Sequence, residues 1–233
     1  MRNQSNNNTS QLALNLSHDA SHLRADLIES SANATAIAMI DAWPEWPGSA
    51  TVLAGPVGSG KTHIASVWAG MSNALMVDAQ DLKAEAKTLL DEISAGKCLV
   101  IENMAERTVD ETILFHILNS IRESGGYCLI TSRSWPVEWQ VELPDLVSRL
   151  KAMQLIELEE PDDLLLKQVM MKLFSDRQLQ VDASVVEYCA LRMERSLETA
   201  ARLVAKMDEL ALSQRTTIGR KIASKALASM GMA

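Results

Sequence analysis

The stretch Thr51-Val52-Leu53-Ala54-Gly55-Pro56-Val57-Gly58-Ser59-Gly60-Lys61-Thr62 decides the fold. A short apolar run leads straight into a complete P-loop, and His63 to Met71 reads as the helix that follows it. Glycines let the backbone approach a phosphate closely, so that successive N–H groups converge on it. The spacing directs Lys61 to the β- and γ-phosphates and the Thr62 hydroxyl to Mg²⁺. A helix starting there turns its positive N-terminal end toward the anion. Gly55, Pro56, Val57, Gly58, Ser59, Gly60, Lys61 and Thr62 are therefore the expected residues for binding a nucleoside di- or triphosphate.

Working outward, strand and helix patterns alternate. Thr51–Gly55, Ala74–Asp78, Lys97–Glu102, Tyr127–Ser132 and Gln154–Leu158 are short and apolar, with little period-2 alternation, as strands covered on both faces are. Helical stretches are expected near 62–71, 81–94, 109–124 and 144–151. An earlier helix should start at Ser30 or Ser31 as N-cap and stop before Pro44. This alternation predicts a parallel α/β sheet with phosphate chemistry at the strand carboxyl ends. Beyond Asp163 only helical patterns remain, near 163–176, 182–193, 196–213 and 217–230. The expected organisation is a flexible polar tail (1–22), an α/β nucleotide-binding domain (23–160) and a small all-helical domain (161–233).

Composition narrows the function. The chain has 233 residues, 47% of them hydrophobic and 4% aromatic, and a net charge of −8. That charge argues against broad nonspecific duplex binding. Between Ala211 and Ala233 there is no acidic residue, while Arg215, Arg220, Lys221 and Lys225 are basic; this reads as the solvated face of a final helix. Cys98, Cys128 and Cys189 show no metal-binding spacing, which suggests a reducing cytoplasm. No apolar run approaches membrane-spanning length.

A P-loop ATPase needs an acid at the end of a second strand to hold Mg²⁺, followed by a group that handles the attacking water. Leu99-Val100-Ile101-Glu102-Asn103 stands at that place. Glu102 supplies the metal-side carboxylate. Asn103 orients water but does not accept its proton, so nucleotide binding with slow intrinsic hydrolysis is expected. Thr131, Ser132 and Arg133 end a third strand, where either a γ-phosphate sensor or a plain strand exit fits. Arg149 closes a short helix and Arg195 opens a helix of the small domain; alone, each reads as a surface ion-pairing residue rather than a catalytic one.

Together these stretches resemble the AAA+ ATPase core of the DnaA family, and most closely the Hda type of DnaA-related regulatory inactivator found in alphaproteobacteria. The resemblance spans about residues 11–228. It rests on Asp41-Ala42-Trp43-Pro44-Glu45-Trp46-Pro47, on the P-loop with His63-Ile64-Ala65-Ser66-Val67-Trp68-Ala69, on Leu143-Pro144-Asp145-Leu146-Val147-Ser148-Arg149-Leu150 and on Met193-Glu194-Arg195-Ser196-Leu197-Glu198. It implies an AAA+ P-loop NTPase with a five-stranded parallel sheet and a helical lid, binding ADP or ATP with Mg²⁺. It implies that Arg149 is an arginine finger offered in trans, that Arg195 is the sensor 2 arginine, and that Glu102 is the Walker B acid. DnaA proper has paired acids where this chain has Glu102-Asn103, and Arg133 stands where DnaA commonly has an acid.

Within the tail, Gln11-Leu12-Ala13-Leu14-Asn15-Leu16 is similar to the peptides that bind the DNA sliding clamp: Leu12, Leu14 and Leu16 suit an apolar groove and the Gln11 amide sets register. DnaA continues past its lid into a helix-turn-helix DNA reader, whereas this sequence ends at Ala233, so no sequence-specific DNA binding is expected. The resemblance implies a cytoplasmic adaptor that binds the DNA polymerase III sliding clamp, meets DnaA, promotes hydrolysis of DnaA-bound ATP and so restrains initiation of chromosome replication. A homo-oligomer is compatible with it. The alternative is a helicase-loader or transposition-helper type of AAA+ ATPase that hydrolyses ATP itself.

Overall fold

Five strands form one sheet because their residues are apolar on both faces. In the computed structural model, which describes residues 23–104 and 109–232, β1 (Ala50–Ala54), β3 (Leu99–Glu102) and β4 (Cys128–Ser132) are buried along their whole length. β2 (Leu75–Asp78) and β5 (Gln154–Glu157) are more exposed because they are the edges. The order is β2-β3-β4-β1-β5, and every pairing is parallel. The register places Ala54 beside Ser132 on one side and Glu157 on the other, and Asp78 beside Glu102. The strand ends thus line up along one rim of the sheet, with the P-loop leaving from β1.

Side chains alternate across the pleat and divide the core into two layers. Val52, Leu99, Ile101, Cys128 and Ile130 face α3 (Leu82–Ser94), α4 (Glu111–Ser124) and α5 (Pro144–Lys151). Leu53, Val100, Leu129 and Ile156 face α1 (Ala34–Asp41) and α2 (Lys61–Ser72). On this second face Trp46 stacks on Trp68 with ring centroids 4.9 Å apart, and its Nε1–H donates to the Met39 carbonyl at 2.8 Å. The aromatic layer seats α2, the P-loop helix, against the sheet.

Beyond β5 the chain forms α6 (Asp163–Asp176), α7 (Ala183–Ala190), α8 (Leu197–Gln214) and α9 (Arg220–Ser229). They enclose a core of their own around Leu166, Met170, Phe174, Leu203, Met207 and Leu227. Asp162, Asp182 and Ser196 cap α6, α7 and α8 by accepting backbone N–H bonds from Leu165, Ser184 and Thr199. Lys172 of α6 pairs with Asp26 at 2.7 Å, joining this helical layer to the first described residues, and the contact raises the Lys172 pKa.

Two expectations need correction. The first helix is not capped at Ser30 or Ser31. The Ser30 hydroxyl accepts from Ala32 N–H within a preceding turn, the Asn33 carboxamide accepts from Ser30 N–H, and α1 starts at Ala34. The helix expected over 182–193 ends at Ala190, because the chain turns to bury Met193 and to set Ser196 as the next N-cap. The three cysteines are free and buried; burial pushes the Cys189 thiol up to about 11. No helix among the described residues is long and apolar enough to cross a membrane.

Phe174 is 1% exposed at the centre of the helical core. Phe174→Ala is expected to cost about 3–5 kcal/mol of stability, read as a lowered midpoint in urea unfolding.

Candidate nucleotide site

The P-loop runs from the buried end of β1 into α2. Gly58 and Gly60 have φ of 74° and 99°, in the left-handed region that favours glycine. Their need is set as much by the protein as by a phosphate. A Cβ on Gly58 would lie 2.0 Å from Ser196 Oγ, and one on Gly60 would lie 3.0 Å from Leu197 Cδ1. Leu197 N–H donates to the Gly58 carbonyl at 2.8 Å. The start of α8 therefore rests directly on the loop. Gly55 has a different reason: a Cβ there would meet the Leu158 carbonyl oxygen at 2.6 Å, at the end of β5.

Lys61 Nζ donates to the carbonyls of Gly55 and Pro56, each at 2.8 Å, so its ammonium lies over the mouth of the loop. Thr62 Oγ1 donates to Glu102 Oε2 at 2.6 Å. The two groups read as Mg²⁺ ligands thus meet, although Thr62 follows β1 and Glu102 ends β3, two strands away. Glu102 is 8% exposed and its second oxygen, Oε1, is buried without a hydrogen-bond partner. The Ser59 hydroxyl is likewise buried and unpartnered. Buried orphan oxygens are costly unless something meets them. Here they fit a hydrated cation and a phosphate cradle.

Among the described residues no three His, Cys, Asp or Glu side chains group as a metal cage.

No family model matches the sequence, and no characterised protein matches it. Solved structures do match by shape. Domain III of the replication initiation protein DnaA from Thermotoga maritima aligns with a TM-score of 0.74 and 18% identity, over 89% of this chain and 96% of that one. AMPPCP-bound DnaA from Aquifex aeolicus gives 0.62 and 18%, over 84% and 69%. A point mutant of Thermotoga maritima RuvB gives 0.71 and 17%, over 91% and 74%. The chain has the AAA+ fold.

Within the AAA+ frame the remaining candidates fall in three places. Arg195 lies just before the Ser196 cap rather than inside α8, beside the residues that touch the P-loop, and its guanidinium pairs with Asp163 at 3.0 Å. Both side chains of that pair are about half exposed, so it is worth only about 0–1 kcal/mol. Thr131 and Ser132 are 1% exposed and committed to the sheet tip. Thr131 Oγ1 accepts from Asn103 N–H, and Ser132 Oγ donates to the Ser134 carbonyl while accepting from Trp139 Nε1–H. Of that trio only Arg133 is exposed.

Arg149 stands elsewhere. It lines a cavity of about 780 Å³ together with Ser49, Ala50, Phe115, Asn119 and Arg122. Ala50 starts β1 and the P-loop follows its end, so five residues of strand, about 16 Å, separate Arg149 from this chain's own nucleotide loop. Its guanidinium lies 5.2 Å from the Phe115 ring centroid and its Nε is buried without a hydrogen-bond partner. Burial and the Arg122 charge lower its pKa.

Three supporting residues were missed by sequence reasoning. Asp78 accepts the Asn103 side-chain N–H₂ at 2.7 Å. Glu111 accepts the backbone N–H groups of Glu142 and Leu143, fixing the entry to the Arg149 helix. Ser196 fills the space over Gly58. In the segment before α1, Arg24 pairs with Asp41, holding that carboxyl below its usual range, and Asp26 pairs with Lys172. The clamp-peptide residues Gln11, Leu12, Leu14 and Leu16 lie outside the described residues.

Gly58→Ala is expected to lift α8 from the loop, because the methyl group and the positive φ both oppose the present contact. Hydrogen exchange at the Leu197 amide should accelerate and nucleotide affinity should fall at least tenfold. Gly48→Ala, where a Cβ meets nothing within 4 Å, should change neither.

Proposed function

We propose that this chain is an AAA+ adaptor of the DnaA-related regulatory type. It binds an adenine nucleotide and the DNA sliding clamp, and it promotes hydrolysis of ATP bound to DnaA, thereby restraining initiation of replication in the cytoplasm. One observation carries this reading. Arg149 lies at the opposite end of the sheet from its own P-loop, in an open cavity, with no ion pair among the described residues. An arginine so placed serves a nucleotide held by another protein. A guanidinium brought to a γ-phosphate is worth about 10³–10⁵ in hydrolysis rate.

The P-loop residues Gly55 to Thr62 would hold the nucleotide phosphates and Arg195, released from its weak pair with Asp163, would reach them from the lid. Thr62 and Glu102 would hold Mg²⁺. When bound, the metal neutralises phosphate charge. Gln11, Leu12, Leu14 and Leu16 would dock in the clamp groove, so the activity is confined to clamp loaded on DNA. The likeness to DnaA domain III supports a partner of similar shape. Asn103 supports slow turnover by the chain itself.

The test measures ATP hydrolysis by DnaA of the same organism on DNA-loaded clamp, with and without this chain. Wild type should stimulate it. Arg149→Ala should keep nucleotide and clamp affinity while losing stimulation by at least a hundredfold, and the triple change of Gln11, Leu14 and Leu16 to Ala should lose it with clamp binding. Lys61→Ala should abolish nucleotide binding in a fluorescence titration. Retained stimulation by Arg149→Ala would sink the finger role. Fast Lys61-dependent turnover without DnaA would support the loader-type ATPase instead.

A further inference from the structure

Charge is unevenly divided along this chain. Residues 1–160 hold 21 acidic and 11 basic residues, whereas residues 161–233 hold 9 acidic and 11 basic. With acids in excess, basic side chains readily find partners: Arg24, Lys83, Lys167, Lys172, Arg195 and Lys206 each reach a carboxylate at 3.6 Å or less. Arg192, Arg215, Arg220, Lys221 and Lys225 do not. None of the five forms an ion pair among the described residues, and all five are exposed on the helical layer.

Contacts gather these charges together. Arg192 and Arg220 share the Tyr188 ring, with guanidinium carbons 3.9 and 5.7 Å from its centroid. The ring attracts both cations without neutralising either, and a stacked guanidinium keeps N–H donors for an anion. On α9 the buried residues are Ile222, Ala223, Ala226 and Leu227. The opposite face shows Lys221 and Lys225, neighbours one turn apart. Lys225 Nζ donates to Gln214 Oε1, an uncharged acceptor, at 2.8 Å, which ties the turn bearing Arg215 to the same helix. Asp182 is an acid whose charge reaches Arg220, and its carboxylate is committed to the Ser184 N–H at 2.8 Å. The grouping works against local stability. Like charges four apart on a helix repel, and Arg220 and Lys221 occupy a first turn that favours acids and holds none.

We propose that the exposed face of α9, flanked by Arg192 and Arg215, is a docking surface for the phosphate backbone of duplex DNA. This goes beyond the function proposed above and requires neither clamp nor DnaA. Between its charges α9 exposes only Ser224, Ala228 and Ser229, and none of the large exposed apolar side chains belongs to it. Such a face lacks the apolar stripe by which an amphipathic helix enters lipid. It also lacks the apolar centre of a protein interface. A row of phosphates asks for neither, because spaced cations hold it by displacing its counterions, whatever the base sequence. The net charge of −8 repels DNA from the rest of the molecule and limits the contact to this one side.

Fluorescence anisotropy of a labelled blunt duplex, titrated with the full chain at low salt, tests this. Affinity should fall as salt is raised, with log K dropping by about 0.9 per engaged phosphate for each unit of log salt. Two duplexes of unrelated sequence should bind within about twofold of each other. Lys221→Ala combined with Lys225→Ala should lower the salt slope by about 2 and weaken binding about tenfold or more. Its urea midpoint and nucleotide affinity should stay as in wild type. Lys206→Ala removes a cation that is already paired with Glu209 and should leave duplex affinity unchanged. Wild type that does not bind the duplex at low salt would overturn the proposal, as would a double variant that binds it as tightly as wild type. An equal loss in Lys206→Ala would assign the effect to net charge and overturn the localised surface. A single strand bound more tightly than the duplex, or poly-glutamate competing equally at matched charge, would overturn the choice of partner.

Discussion

The arrangement depends on one backbone hydrogen bond, from Leu197 N–H to the Gly58 carbonyl. It joins the loop that carries the P-loop glycines to the first residue of α8. Because Gly58 has no side chain, Ser196 occupies the space directly above it, and the lid sits on the loop rather than beside it. The contact brings Arg195 to the edge of the site, held only by a half-exposed pair with Asp163. Loop and lid are then a single mechanical unit. A phosphate that displaces Lys61 from the Gly55 and Pro56 carbonyls acts on the same loop that bears α8.

Much of the fold was legible because the chemistry that specifies it is local. The strands at Ala50–Ala54, Leu99–Glu102 and Cys128–Ser132 are continuous apolar runs, and a strand with both faces covered needs nothing else. The P-loop spacing and its strand-to-helix setting are equally local. Helix ends were less legible. Ser30 has the chemistry of an N-cap, yet its hydroxyl serves the turn before α1, and the stop at Ala190 reflects where Met193 must go. Both depend on contacts that a linear pattern does not carry.

The candidate site divides in the same way. Lys61 and Thr62 stand out by the P-loop spacing and Glu102 by closing the apolar run Leu99-Val100-Ile101, and the structure brings Thr62 and Glu102 together. Asp78 gave no signal of its own, since an acid at a strand end before a turn is what any solvated turn looks like. Its meaning arises from a lateral register, Asp78 beside Glu102, that joins residues 24 positions apart. The glycines were legible as glycines, but two of the three are required by Leu158 and Ser196, which sequence spacing does not connect to them. Glu111 is similar: it is ordinary in α4 until Glu142 and Leu143 return to it.

That last anchor has a consequence for assembly. Glu111 pins the entry to α5, so Arg149, Phe115 and Arg122 project from one end of the sheet as a fixed group while the P-loop opens at the other. Under the function proposed for Arg149, the molecule has a direction, with a giving end and a receiving end built from different surfaces. Contacts between unlike surfaces propagate head to tail instead of closing around a two-fold axis. A row built on such contacts has two distinguishable termini, and a chain at its end keeps one of its two faces open to a different partner.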